Sequence, residues 1–300
     1  MSDVHDMSYF LKCVAGGAMA CGLTHTLITP LDLVKCKRQV NPTLYKSLGQ
    51  GISNIWAEGG LRGISLGWAP TFIGYNLQGM GKFGFYELFK SFYVKMAGDK
   101  ADDYKVYGWI LSSACAEIIA DVFLCPWEAL KVRMQTSKPG TFPTKMVPGF
   151  NLIRTDEGLN GFFKGLGPLW ARQVPYTIVK FVFFEKTVRW FYKYIFTSKK
   201  RSEYSKAVQL SITFMSGYVA GVLCAVISHP ADTMVSKLNN TAGGGSLMSN
   251  MSKIYGEIGF NGLWRGLMTR IIMIGTLTGL QWWIYDTFKT ILGLQTSGGK

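Results

Sequence analysis

Three stretches of this chain repeat one pattern at intervals of about a hundred residues: TPLDLVKCKRQ (29–39), CPWEALKVRMQ (125–135) and HPADTMVSKLN (229–239). The prolines stand at 30, 126 and 230, and an acid follows each two residues later: Asp32, Glu128 and Asp232. Three residues further on come Lys35 and Lys131, with Val235 in the third slot. Two more motifs recur in step. EGGLRGISLG (58–67), EGLNGFFKG (157–165) and IGFNGLWRG (258–266) form one set; YELFK (86–90), FEKTV (184–188) and YDTFK (285–289) form the other. Around them run six long, mostly apolar segments, 9–38, 68–95, 106–135, 167–194, 208–237 and 267–292, each long enough to cross a bilayer as a helix. Short helices are expected between the members of each pair, near 47–56, 148–155 and 247–256. The period therefore predicts an all-α membrane protein of six spans, one domain over 1–300 with repeats at 9–97, 105–196 and 207–293.

Composition agrees with that class. Charged residues are 17% of the chain, against about 25% in a typical soluble domain. The net charge of +14 favours an anionic partner, whether lipid, solute or nucleic acid. Nucleic acid fits poorly, because basic residues such as Lys199, Lys200 and Arg201 are spread over helix ends and loops, where they face anionic lipid. The start MSDVHDMSYFLK is acidic and lacks the Arg-rich amphipathic character of a transit peptide, so no cleavable leader is expected. Six cysteines without a CxxC pair read as reduced thiols rather than a disulfide framework.

A solute lacks three-fold symmetry, so its site is expected where the repeats differ. Five residues before the acid of each even-segment motif stand Lys82, Lys180 and Gln281, each followed by an aromatic: KFGFYE, KFVFFE, QWWIYD. Equivalent positions share one depth, and polar groups inside spans must face the bundle interior. Two ammonium groups and one amide are thus expected together. Counting back five from the prolines gives His25, Asp121 and Ala225; counting back nine gives Cys21, Glu117 and Gly221. His25, Asp121 and Glu117 then lie on neighbouring walls, where imidazole and carboxylate can carry a proton or form a fixed hydrogen bond. Soft ligands are present too. Cys21 and His25 are one turn apart and Cys36 follows on the same face, a set whose thiol and imidazole groups suit Cu(I), although buried cysteines more commonly only pack.

Enzyme motifs fail in context. Gly79 to Gly84 matches GxGxxG without a strand before it and reads as a small-residue packing face. Gly63-Ile-Ser65-Leu-Gly67 matches a nucleophile elbow, yet it fills the slot of Phe163-Lys164-Gly165 in repeat two. No zinc or metalloprotease spacing occurs, so no enzyme is expected.

The Pro-x-acid-x-x-base motif on each odd segment resembles the mitochondrial carrier family, over nearly the whole chain. The resemblance implies six tilted transmembrane helices in three pseudosymmetric repeats around a cavity, with short matrix helices, in the mitochondrial inner membrane. It implies a matrix gate pairing Asp32 with Lys131 and Lys35 with Asp232, leaving Glu128 opposite Val235 without a partner; Gln39 and Gln135 belong to the same gate. It implies a cytoplasmic gate pairing Lys90 with Glu185 and Glu87 with Lys289, with Asp286 facing Val188. Arg172 and Gln173 match a second contact point on the fourth helix, adding a third cation and a second amide to the site. A kinked helix at each proline would draw the matrix ends inward. The stretches ACGLTHTLITPLDLVK, ACAEIIADVFLCPWEALK, RQVPYTIVKFVFFE, HPADTMVSK and MIGTLTGLQWWIYD resemble the phosphate-carrying branch, which implies uptake of inorganic phosphate with a proton, and they put His25, Glu117 and Glu128 at positions linked to proton coupling. The wording is nearest to a fungal branch also associated with copper. Another small anion, such as sulfate or a carboxylate, and a non-transporting membrane scaffold are the alternatives. No cofactor is expected beyond cardiolipin bound as a lipid beside Phe163-Lys164-Gly165 and Trp264-Arg265-Gly266, and nothing requires more than a monomer.

Overall fold

The computed structural model describes residues 7–40, 44–45, 47–101, 103–137, 140–198, 201–240, 247–264 and 267–297. Every regular element among these residues is a helix. Repeat one contains α1 (Met7–Leu27), α2 (Thr29–Val40), α3 (Leu48–Ile64) and α4 (Trp68–Ala97). Repeat two contains α5 (Lys105–Thr136), α6 (Met146–Glu157), α7 (Asn160–Phe163) and α8 (Leu166–Tyr194). Repeat three contains α9 (Lys206–Asn240), α10 (Leu247–Leu263) and α11 (Leu267–Ile291).

The long helices form a closed ring. α1 packs on α4, α4 on α5, α5 on α8, α8 on α9, α9 on α11, and α11 closes on α1. α2 touches both α5 and α9, so the ends carrying the motif prolines converge. The short helices lie outside that end, α3 against α2, α6 and α7 against α5, and α10 against α9. Among the described residues, Lys105–Thr136 and Lys206–Pro230 are long and apolar enough to cross a membrane, as is the bent pair Met7–Leu27 with Thr29–Lys37. The spans α4, α8 and α11 have 30, 29 and 25 residues, enough length but a more polar face. Close packing accounts for the glycines of 79–84: a side chain on Gly79 would overlap the carbonyl of Gly17 on α1.

Two details follow from single residues. The three repeats all turn at one glycine, Gly60 (φ 52°, ψ −141°), Gly158 (φ 64°, ψ −152°) and Gly259 (φ 63°, ψ −178°), a backbone region open essentially to glycine alone. That explains why the EGG, EGL and IGF motifs recur. Only the first odd helix breaks at its proline, with a bend of 55° between α1 and α2, while α5 and α9 run continuously through Pro126 and Pro230. The residue before the proline differs. Thr29 donates its hydroxyl to the His25 carbonyl (3.2 Å), a back-bond that bends helices, whereas Cys125 turns its thiol outward to the Phe162 carbonyl (3.2 Å).

Candidate functional site

The even-segment aromatics meet at the axis. Phe83, Phe181 and Trp282, the residues after Lys82, Lys180 and Gln281, have ring centroids 5.1 to 5.4 Å apart. Phe184 stacks on Trp282 at 3.5 Å. This apolar layer lies beside the polar triplet, whose members are 2 to 3% exposed. Lys180 Nζ donates to Gln281 Oε1 (3.1 Å), and Gln281 Nε2 faces Cys21 Sγ (3.7 Å). Lys82 Nζ lies 2.9 Å from Glu117 Oε1. The amide of Gln78, one turn before Lys82, donates to Glu117 Oε1 and to Asp121 Oδ1, both at 3.0 Å. The outer oxygens, Glu117 Oε2 and Asp121 Oδ2, are buried with no partner among the described residues. So are the hydroxyls of Thr177 and Thr278, each three residues before Lys180 or Gln281 on the same helical face.

His25 sits differently from the expectation. It stacks on Tyr75 with centroids 3.6 Å apart, and among the described residues it makes no hydrogen bond to Glu117 or Asp121. Lys131 lies 5.4 Å from the centre of the same Tyr75 ring. The set Cys21, His25 and Cys36 is not gathered: among the described residues no three His, Cys, Asp or Glu side chains form a metal-holding group. Arg172 is exposed and lines a cavity of 320 Å³ between α5, α7 and α8 with Glu128, Arg133 and Lys164. Gln173 beside it is half-buried.

At the end assigned to the matrix, Lys131 pairs with Asp32 across α5 and α2. Glu128 was expected to lack a partner, but it is 3.4 Å from Lys131 on its own helix, an i, i+3 spacing that needs no third helix. Gln135 donates to the Leu66 carbonyl (3.1 Å) instead of to a gate partner. Lys35 is exposed, while the side chains of Gln39, Asp232 and Val235 lie outside the described residues, as do Arg265 and Gly266. Beside Phe163, Lys164 is engaged by Glu157 (2.7 Å), which Arg133 also contacts. These two partners, Lys164 foremost, hold the Glu157 carboxyl below its ordinary range.

At the opposite end Lys90 pairs with Glu185 (3.1 Å), and Tyr86 adds a hydrogen bond to the same oxygen (3.3 Å). Among the described residues Glu87 and Lys289 are not paired with each other. Glu87 accepts from Tyr9 (3.2 Å) and lies 3.7 Å from Lys90, and Lys289 donates to Ser297 Oγ (3.2 Å). Asp286 is not left bare opposite Val188, since Thr213 and the Ser297 backbone N–H both donate to it.

Gln78, Tyr75, Thr177 and Thr278 were missed by the repeat comparison. They stand one turn or two from Lys82, Lys180 and Gln281, so a scan of the same helical face would have found them.

The family model for mitochondrial carrier proteins matches residues 6–97, 102–195 and 206–296. The chain is 51% identical, over 99% of its length and 95% of the relative's, to a protein of Schizosaccharomyces pombe named "Probable mitochondrial phosphate carrier protein". It is 53% identical to "Phosphate carrier protein, mitochondrial" of Caenorhabditis elegans, over 95% of this chain and 82% of that one. It is 49% identical to "Solute carrier family 25 member 3" of Homo sapiens, over 95% of this chain and 77% of that one.

Proposed function

The chain belongs to the mitochondrial carrier family, multi-pass transporters of the inner membrane rather than enzymes, and on that premise we propose that it imports inorganic phosphate together with a proton by alternating access. The relatives' names supply the cargo, and one observation supports the coupling: Lys82 is neutralised by Glu117 (2.9 Å) in a buried layer that also holds Lys180.

Phosphate oxygens entering between the two lysines compete with Glu117 for the Lys82 ammonium. Lysine supplies point charges to such an anion, and the hydroxyls of Thr177 and Thr278 supply neutral donors one turn away. Displaced Glu117 then stands beside Asp121 in a low-dielectric wall, where two bare carboxylates repel. One proton taken up by that pair offsets the charge, and Gln78 holds both groups in place. Phosphate and proton thus favour each other's binding, a coupling that is reciprocal by linkage. His25, stacked on Tyr75 beside Lys131, lies between this layer and the matrix gate and serves as the proton's route inward. Each gate must part during the cycle, and among the described residues Lys131 and Lys90 each hold one ion pair across helices. Cardiolipin phosphate would bind at the matrix-side helix starts, of which α8 at Leu166 is described. A copper cargo rests on the sequence resemblance alone, and the dispersed Cys21, His25 and Cys36 do not add to it.

The test is uptake of radiolabelled phosphate into liposomes holding the purified protein, with and without an inward proton gradient, with copper assayed beside it. Gradient-driven phosphate uptake is expected. Phosphate uptake indifferent to the gradient would remove the proton, and copper uptake alone would replace the cargo.

A further inference from the structure

The cytoplasmic ring lacks a base where α8 carries Val188, which is itself buried. Asp286 on α11 is wholly buried, and among the described residues no cation pairs with it from that side. A carboxylate sealed from water needs donors. The chain brings them from its own C-terminal end.

α11 ends in a left-handed turn at Gly293 (φ +78°). The Gly293 N–H bonds the Thr290 carbonyl (3.1 Å), and the Leu294 N–H bonds the Lys289 carbonyl (2.8 Å), the pair of bonds that reverses a chain at a helix end. Leu294 packs against the buried core, and the chain runs back over the helix terminus. Thr296 and Ser297 are thereby buried to 5 and 6% exposure. The Ser297 N–H donates to both oxygens of Asp286 (2.9 Å each), and Ser297 Oγ accepts from Lys289 Nζ (3.2 Å). Thr213 of α9 gives Asp286 a further hydrogen bond (2.7 Å). Arg201, between α8 and α9, holds the strap from outside. Its Nη2 donates to the Thr296 carbonyl (2.7 Å), the Thr296 hydroxyl (2.7 Å) and the Ser297 carbonyl (2.5 Å). Thr296 Oγ1 in turn donates to Gln209 Oε1 (3.1 Å).

We propose that Ser297 is a gate residue: its N–H and hydroxyl take the place of the base missing at Val188 and lock Asp286 and Lys289 into the closed cytoplasmic network, with Arg201 as the positioning residue. Opening that gate requires the strap to leave Asp286. Segment 292–297 therefore sets how readily the cavity opens to the cytoplasm. The inference rests on the chain being an alternating-access carrier and is independent of the cargo.

The test needs no cargo either. Cys13 is wholly buried and packs with Tyr9 and Tyr285 in the cluster beneath the ring; Cys125, at the other end, is 3% exposed. Two single-cysteine proteins, retaining only Cys13 or only Cys125 with the other five changed to serine, are purified in detergent and labelled with a maleimide. Ending the chain at Leu294, or Ser297→Pro, which deletes the N–H, should raise the Cys13 labelling rate about tenfold and leave Cys125 unchanged or slower, as expected when one gate opens at the expense of the other. Ser297→Ala, which keeps the N–H, should give a smaller rise, and Arg201→Gln should match Ser297→Pro. Ending the chain at Ser297 itself should change nothing. Wild-type labelling of Cys13 in both the shortened chain and Ser297→Pro would overturn the proposal. So would an equal rise at Cys13 and Cys125, which marks general loosening rather than a gate.

Discussion

Lys82→Met should destabilise the protein, and a second substitution should undo the damage without restoring transport. The ion pair between Lys82 and Glu117 spans 2.9 Å, with side chains 4 and 0% exposed. Removing one partner of a buried pair costs roughly 3–5 kcal/mol, because the remaining charge keeps its desolvation penalty. Here Gln78 still donates to Glu117, and a hydrogen bond to a charged group contributes about 1.5–3 kcal/mol, so the expected loss sits near the lower end, about 3 kcal/mol. Lys82→Met with Glu117→Gln removes both charges together and should return to within about 1 kcal/mol of wild type, since an uncharged pair of similar size carries no buried ion. Thermal unfolding of the four proteins in detergent measures the cycle, and phosphate uptake into liposomes measures function. Both Lys82 variants should fail in uptake, because each lacks a cation that the proposed phosphate site uses. A double variant no more stable than Lys82→Met, with a coupling energy under about 0.5 kcal/mol, would refute the reasoning that this pair neutralises the layer at rest.

Gln78→Leu leaves Glu117 and Asp121 without their shared donor; uptake driven by a proton gradient should fall more than tenfold while phosphate-for-phosphate exchange falls less, and equal losses in liposome assays would make Gln78 merely structural. Gly158→Ala forces a side chain into a backbone region (φ 64°, ψ −152°) that costs of order 1–3 kcal/mol, which a lowered unfolding midpoint should show. Glu157→Gln should remove a pH dependence. The carboxyl of Glu157 is held low by Lys164 and Arg133, so its contribution is present above the unfolded carboxylate range, near about 4.3, and is lost as pH falls through the folded value. The difference in melting midpoint between wild type and variant should be constant from neutral pH down to about 5 and vanish in stronger acid.

What the sequence showed best was whatever the repeat multiplied. Lys82, Lys180 and Gln281 share a depth because three helices carry the same period, and the aromatic beside each closes on the other two. The motifs around Gly60, Gly158 and Gly259 recur for the same reason, although the turn at each glycine is seen only in the fold. Features that occur once were hidden. The stack of His25 on Tyr75 joins α1 to α4 with no counterpart elsewhere, so counting from the prolines gave the depth of His25 and not its partner. The strap over Asp286 has no periodicity at all; only the glycine of a helix-ending turn hinted that the chain doubles back.

The two rings show why such departures matter for transport. A ring of three full ion pairs would be hard to part, since each pair broken in a low-dielectric bundle leaves charges without compensation. This chain drops a base at each end and repairs the gap with something that lets go more easily. At the matrix end Glu128 turns to Lys131 on its own helix, a contact that survives when α5 moves away from α2 and α9 and so does not oppose opening. At the cytoplasmic end Asp286 is met by a backbone N–H and a hydroxyl, neutral donors that water can replace at little net cost once the gate parts. Among the described residues each gate carries one cross-helix ion pair, Lys131 with Asp32 and Lys90 with Glu185. On the proposed alternating-access reading, the energy of binding phosphate with its proton then has less to overcome at either end.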